Sequence, residues 1–257
     1  MSLLFWIIAF SLLGGVLSVL AASVFLIFPD RLRQALLPHF VSFAIGTLLG
    51  AAFLALIPHA ISSPAMDFHD LGITLLIGIL AFFLMEKLVL WRHCHEHSCE
   101  AHSPELHREK AAGTLILMGD GIHNFVDGIL IAAAFMTDIH LGVITSLAVA
   151  AHEIPQEVGD FAVLLHSGYS RKRAFLFNIL ASMTTVIGAL LAYFSLHDSL
   201  HVVPYVLTIA AASFIYIAVA DLIPGLHRRV EVSETLRQMA LILAGIGVIF
   251  MAHSTLH

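Results

Sequence analysis

Two short stretches of this chain place metal-ligand chemistry inside apolar runs: HNFVDG at residues 123–128 and HEIPQEVGD at residues 152–160. Imidazole nitrogen suits zinc, copper, iron and nickel, whereas carboxylate and amide oxygens are harder ligands. A mixed nitrogen and oxygen set binds zinc without the thiolate cage of structural sites. The candidate metal ligands are His123, Asn124, Asp127, His152, Glu153, Gln156 and Glu157. His123 and Asp127 are four residues apart and Asn124 and Asp127 three apart, so a helix puts them on one face. Asp120 extends that face by a turn. His152 and Gln156 are also four apart, and Glu153, Glu157 and Asp160 form a neighbouring stripe. Asp127, between His123 and Asn124, is a candidate to bridge two adjacent ions. An ionisable residue at the centre of a membrane helix costs about 2.5–3.5 kcal/mol on insertion scales, so such residues mark functional sites.

The elements that carry these residues follow from composition. The chain has 257 residues, 59% hydrophobic and 12% charged, with a mean hydropathy of +0.94. Soluble domains lie nearer about 45–50% apolar and about 25% charged. The expected fold class is therefore all-α: a polytopic membrane protein, with residues 1–257 forming a single transmembrane domain. Such a chain has the lipid bilayer as its surroundings and no nucleic-acid partner. Residues 3–28 read as a retained first helix, because the apolar run exceeds a signal core and its basic flank lies on the far side.

Eight apolar segments are long enough to span, at 3–28, 39–60, 71–92, 112–136, 141–166, 172–196, 203–225 and 236–256. In lipid all must be helices, since unpaired backbone groups find no partner there. Only Thr137 to His140 separate the fourth and fifth segments, so these two are antiparallel neighbours and their polar stripes can face each other. All 12 Lys and Arg residues fall on one side of this layout, from Arg31 and Arg33 to Arg171, Lys172, Arg173 and Arg237. By the positive-inside rule that side is cytoplasmic and both termini face out. The expected location is a bacterial cytoplasmic (inner) membrane. Leu-Ile-Pro recurs near the ends of the second and seventh segments, in AFLALIPHA (52–60) and AVADLIPGL (218–226). One segment exits outward and the other inward, as in the inverted repeats of secondary transporters.

Pro155 removes one backbone donor beside the ligands. Gly128 and Gly159 flank the motifs and are expected to permit close helix approach. The loop at about 93–111 is crowded with His93, Cys94, His95, His97, Cys99, His102 and His107. Cytosolic thiols stay reduced, and Cys/His tracts bind metal, so this loop is a candidate accessory metal site. Glu86 and Lys87 are expected to pair or snorkel. Asp221 is either a vestibule ligand or interfacial, and His59 is a candidate to line an entrance.

These motifs resemble the Zrt/Irt-like (ZIP) family of divalent metal transporters. Within it, the chain is similar to the branch with His-Asn-Phe-x-Asp-Gly in helix four and His-Glu-x-Pro-His-Glu-x-Gly-Asp in helix five. The similarity extends to GTLLGAAFLALIPHA (46–60), FFLMEKL (82–88) and FAVLLHSGYSRKRA (161–174). The resemblance implies an eight-helix bundle, often homodimeric, with an inverted repeat of helices 1–3 and 6–8 around helices 4–5. It implies import of zinc, with iron, manganese or cadmium as alternatives, and no bound cofactor beyond the transported ion. It implies alternating access, with helices one, four, five and six moving against two, three, seven and eight. It also implies a first metal site of His123, Asp127 and residue 156. A second would use Asn124, Asp127 and Glu153, with 156 as a further candidate and His152 and Glu157 close by. Two positions depart from the pattern. Gln156 stands where the branch has histidine, and Met183-Thr184-Thr185 holds no carboxylate where some members have glutamate.

Two other classes fit the polar helices less well. A zincin-type intramembrane metalloprotease needs His-Glu-x-x-His, and here Gln156 replaces the second His. A membrane protein without metal leaves the His/Cys loop and the ligand set without a purpose. The expected class is a transporter, not an enzyme.

Overall fold

The computed structural model describes residues 2–95, 105–227 and 231–255, without the side chains of Asp30, of residues 88–115 and of Thr255. Every regular element among them is helical. The order is α1 (Leu3–Gly14), α2 (Val16–Phe25), α3 (Asp30–Gly50), a π-helical turn (Ala51–Leu56), α4 (Ile57–Ser62), α5 (Phe68–His95) and α6 (Glu105–Thr137). Then come α7 (Ile139–His166), α8 (Arg171–Leu196), a short 3₁₀ turn (Leu200–Val202), α9 (Val203–Tyr216), a second π-helical turn (Ile217–Leu222), α10 (Ile223–Leu226) and α11 (Val232–Thr255).

Among the described residues, seven helical stretches are long and apolar enough to cross a membrane, including Leu3–Phe25, Arg31–Ser62 and Ile116–Thr137. The eighth expected segment is α7, which falls outside that set because it carries the polar motif. It is instead enclosed by protein: α1, α2, α3, α6 and α8 all pack on it. Thr145, Ser146, His152, Glu153 and Glu157 on α7 are buried. Ionisable residues are tolerated at membrane depth when they face a bundle interior rather than lipid. The periphery is the reverse: Val232–Ser254 is only 11% buried, against 61% for Arg31–Ser62.

The expected boundaries shift at the basic side. Arg31 and Arg33 lie in the first turn of α3, not in a loop, because the helix starts directly after Pro29. Arg171, Lys172 and Arg173 open α8, where Ser170 caps the helix through Arg173 N–H at 3.4 Å. Arg237 lies within α11 and pairs with Glu234 at 2.9 Å. These polar turns continue the helices past the hydrocarbon into the interface.

The Leu-Ile-Pro repeat has a structural counterpart. In both copies a π turn begins seven residues before the proline and ends two before it. Ile57 N–H bonds to Ala52 C=O and Ile223 N–H to Ala218 C=O, five residues back in each case. Pro58 and Pro224 lack an N–H and crowd the preceding turn. Widening that turn by one residue accommodates the ring without ending the helix. The same device in two oppositely directed helices supports an inverted relation between the halves.

Close helix packing rests on glycine and alanine, since lipid provides no hydrophobic drive for helix association. A Cβ on Gly128 would stand 1.9 Å from Thr185 C=O, and one on Gly188 would stand 2.0 Å from Phe125 C=O. These reciprocal contacts lock α6 to α8, the most extensive pair in the molecule. Gly46 against Ile242 C=O (2.1 Å) and Gly245 against Phe43 C=O (2.4 Å) lock α3 to α11 in the same way. Gly159, expected to serve similarly, has open space around it. Gly15 instead breaks the first span, where a Cβ would lie 2.6 Å from Ser182 C=O.

Asp138 turns the chain from α6 into α7. Its carboxylate accepts from His140 N–H at 2.8 Å and Leu141 N–H at 3.1 Å. Partial burial pushes its pKa up, but the Leu141 and His140 amides outweigh that and hold it below the usual carboxylate range.

Two outcomes follow for stability in detergent, read by thermal unfolding. Gly128→Ala loses about 1–3 kcal/mol or more, as overpacking of a tight contact does, whereas Gly159→Ala is near neutral. Asp138→Ala loses about 0.5–2 kcal/mol, as loss of an N-cap does. Because the Asp138 pKa is depressed on folding, its contribution is present above the ordinary aspartate range. It fades as pH falls through the lowered value, so wild type and Asp138→Ala converge in acid.

Candidate metal centre

The α6 face brings Asp120, His123, Asn124 and Asp127 toward the α7 face bearing His152, Glu153, Gln156 and Glu157. Four of these converge. His123, Asp127, His152 and Glu153 each offer one ligand atom, and all four atoms lie within 4.8 Å of one another. His123 Nε2 is 3.2 Å from His152 Nε2 and 3.3 Å from Glu153 Oε1. His152 Nε2 is 3.3 Å from Asp127 Oδ2 and 3.5 Å from Glu153 Oε1. His123 Nε2 lies 3.8 Å from Asp127 Oδ2. Zinc bonds of about 2.0–2.1 Å in tetrahedral geometry set ligand-to-ligand edges of about 3.3–3.4 Å. Four edges of the cluster, at 3.2–3.5 Å, are close to that spacing, and all its ligand atoms lie within 4.8 Å of one another.

Its electrostatics point the same way. Asp127 and Glu153 are fully buried; Asp127 Oδ1 and Glu153 Oε2 have no hydrogen-bond partner, and the other oxygen of each faces the two histidines. Buried carboxylates left this way are costly unless a cation completes them. The His152 ring is oriented by its other nitrogen, since Nδ1 lies 3.0 Å from Ala148 C=O. In the neutral ring that contact places the proton on Nδ1 and leaves the Nε2 lone pair facing the cluster.

A second group adjoins the first. Asp120, Glu153 and Glu157 also bring one oxygen each within 4.8 Å of the others. This set is all oxygen and shares Glu153 with the first. Glu157 Oε1 accepts from Ser182 Oγ at 2.9 Å.

His152 is a member of the first group rather than a neighbour of it. Asn124, beside these groups, has both ends of its amide engaged. Its Oδ1 accepts from Thr185 Oγ1 at 2.7 Å, and its Nδ2 donates to Asp120 Oδ1 at 2.8 Å. Gln156 lines the same cavity as His123 and His152, and its Nε2 lies 3.5 Å from Asp120 Oδ1. Glu153 is the carboxylate common to these two groups.

Residues of α8 were overlooked by ligand-type reasoning. Asn178, Ser182 and Thr185 are buried and spaced by four and three residues on an otherwise apolar helix. That polar stripe is the signal that could have revealed them. Thr184 adds a bond from Oγ1 to Gly121 C=O at 2.7 Å. The segment without a carboxylate at 183–185 thus anchors α6 through hydroxyls.

A cavity of about 410 Å³ leads from His123 and His152 past Gln156 and Pro155 to Glu86, Tyr216 and Asp221. These last residues lie toward the basic ends of the bundle. Glu86 accepts from the Tyr216 hydroxyl, so it does not pair with Lys87, whose Nζ sits 5.9 Å from the Phe83 ring centroid. Asp221 lines the vestibule. Phe214, whose ring centroid lies 6.1 Å from that of His152, is buried in the apolar core together with Leu130, Ile131 and Ile144. His59 lines a cavity of about 170 Å³, with its ring 5.6 Å from that of His253. The side chains of His93, Cys94, His95, His97, Cys99, His102 and His107 lie outside the described residues.

Comparison with known proteins agrees with this geometry. Residues 91–253 match the family model for the ZIP zinc transporter. The chain is 31% identical over 269 residues to the zinc transporter zipt-7.2 of Caenorhabditis elegans, covering 84% of this chain and 58% of that protein. It is 32% identical over 228 residues to the zinc transporter ZIP13 of Pongo abelii, covering 84% and 66%. Over a shorter stretch of 133 residues it is 40% identical to human zinc transporter ZIP6, covering 51% of this chain and 18% of that protein. The chain thus spans less than two thirds of the length of these relatives. On the family match and these identities together, the chain belongs to the ZIP zinc transporter family.

Proposed function

We propose that the protein is a transporter, not an enzyme, and carries zinc or a related divalent cation across the membrane toward its basic, cytosolic side. The observation that carries this reading is the His123–Asp127–His152–Glu153 cluster, four of whose edges are close to tetrahedral zinc spacing and whose carboxylates lack other partners. His123 and His152 supply nitrogen, and Asp127 and Glu153 supply charge. Glu153 also links to Asp120 and Glu157, so an ion leaving the first group meets an oxygen-only set beside it. Conduction needs binding that is favourable enough to admit an ion and weak enough to release it. A graded path from mixed ligands to oxygens meets that need. Gln156 adds an amide where the family branch has an imidazole, which weakens zinc binding and favours harder ions such as manganese or iron.

The open vestibule on the basic side corresponds to one end state of alternating access. The α6–α8 and α3–α11 pairs, each locked backbone to backbone, are suited to move as units. With metal as cargo, the His/Cys-rich loop at about 93–111 serves as an acceptor on the exit side.

Purified protein in liposomes, assayed with a panel of divalent metals, tests the reading. Asp127→Ala removes most uptake while the protein stays folded; normal uptake by that variant overturns the assigned site. Gln156→His raises zinc affinity relative to manganese, and unchanged preference removes the role given to Gln156. Protons compete with metal for imidazole and carboxylate, so metal affinity falls as pH is lowered through the histidine range.

A further inference from the structure

Away from the metal centre, one cavity combines positive charge with lipid-facing apolar surface. It has a volume of about 450 Å³ and lies between α2, α3, α7 and α8 at their basic ends. Arg33 and Arg171 supply its charge, Ser23 a hydroxyl, and Ile27, Leu165 and Phe175 an apolar wall. Those three apolar side chains are exposed, so in a membrane they face lipid. None of the described lining residues is acidic.

Depth identifies the ligand. Arg171 is the first residue of the span Arg171–Leu196, and Arg33 lies in the first turn of Arg31–Ser62. Both guanidinium groups therefore sit at the boundary between hydrocarbon and water, where phospholipid phosphates lie. Guanidinium matches phosphate through paired N–H bonds and is less strongly hydrated than an ammonium. Arg33 makes a further contact within the chain, and its five donors allow more than one partner. Basic pockets between helices on the cytoplasmic side are suited to anionic headgroups.

We propose that this cavity binds the phosphate headgroup of an anionic phospholipid, held by Arg33 and Arg171, with an acyl chain along Ile27, Leu165 and Phe175. A zwitterionic lipid brings its own cation into a pocket that already holds two. The site is independent of the metal centre. Arg33 belongs to the helix locked to α11 and Arg171 to the helix locked to α6, so one headgroup touches both locked pairs.

Native mass spectrometry of delipidated protein, titrated with phosphatidylglycerol or phosphatidylcholine, tests the site. Wild type retains phosphatidylglycerol in preference to phosphatidylcholine. Arg171→Gln, at an exposed residue, weakens that binding roughly 5-fold, and Arg33→Gln with Arg171→Gln roughly 30-fold, from the per-charge attraction of basic residues to anionic lipid. Arg237→Gln, outside the cavity, leaves it unchanged. Equal retention of the two lipids by wild type overturns the proposal. So does unchanged phosphatidylglycerol binding in Arg171→Gln, or inorganic phosphate binding as tightly as the lipid.

Discussion

Four carboxylates buried at membrane depth set the terms for the rest of this molecule. Asp120, Asp127, Glu153 and Glu157 are all at most 4% exposed. No lysine or arginine occurs in α7 or in residues 116–137 of α6. Each buried ion has an effective penalty of several kcal/mol even after relaxation. Only two imidazoles and a few hydroxyl and amide groups stand among these acids, so the cluster is built to accept cations. Its geometry is correspondingly over-determined: His152 by Ala148 C=O, Glu157 by Ser182, and Asn124 by Thr185 and Asp120.

That constraint explains the architecture around it. The most polar helix must be the most enclosed, so α7 sits inside a ring of apolar helices that face lipid in its place. Enclosure demands short interhelical distances, and glycine provides them at Gly128, Gly188, Gly46 and Gly245. The same contacts divide the bundle into locked pairs. The polar cluster draws on α6 and α7, while the cavity beside it is also lined by α3, α5, Tyr216 and the second π turn.

Much of this was legible in the chain. Hydropathy and basic-residue placement identified the membrane helices, because lipid and the interface impose simple chemical rules on each segment. Ligand types at helical spacing identified two facing polar stripes. Segment ends were less legible at the basic side, where Arg31, Arg33 and Arg171 stay helical in the interface. The role of α8 was also missed, because hydroxyls at 178–185 carry little weight on a ligand-type scale yet hold Asn124 and Glu157.

The sequence by itself determined which residues can bind a cation, which helices carry them, and that α6 and α7 must be neighbours. These depend on local spacing and on a short connection. Only the tertiary structure decided which of those residues share one centre. Whether Asn124 bonds to Thr185 and whether His152 lies beside His123 and Glu153 depend on helix rotation. That rotation is set by the glycine contacts of α6 with α8, a feature of two distant segments that no local spacing encodes.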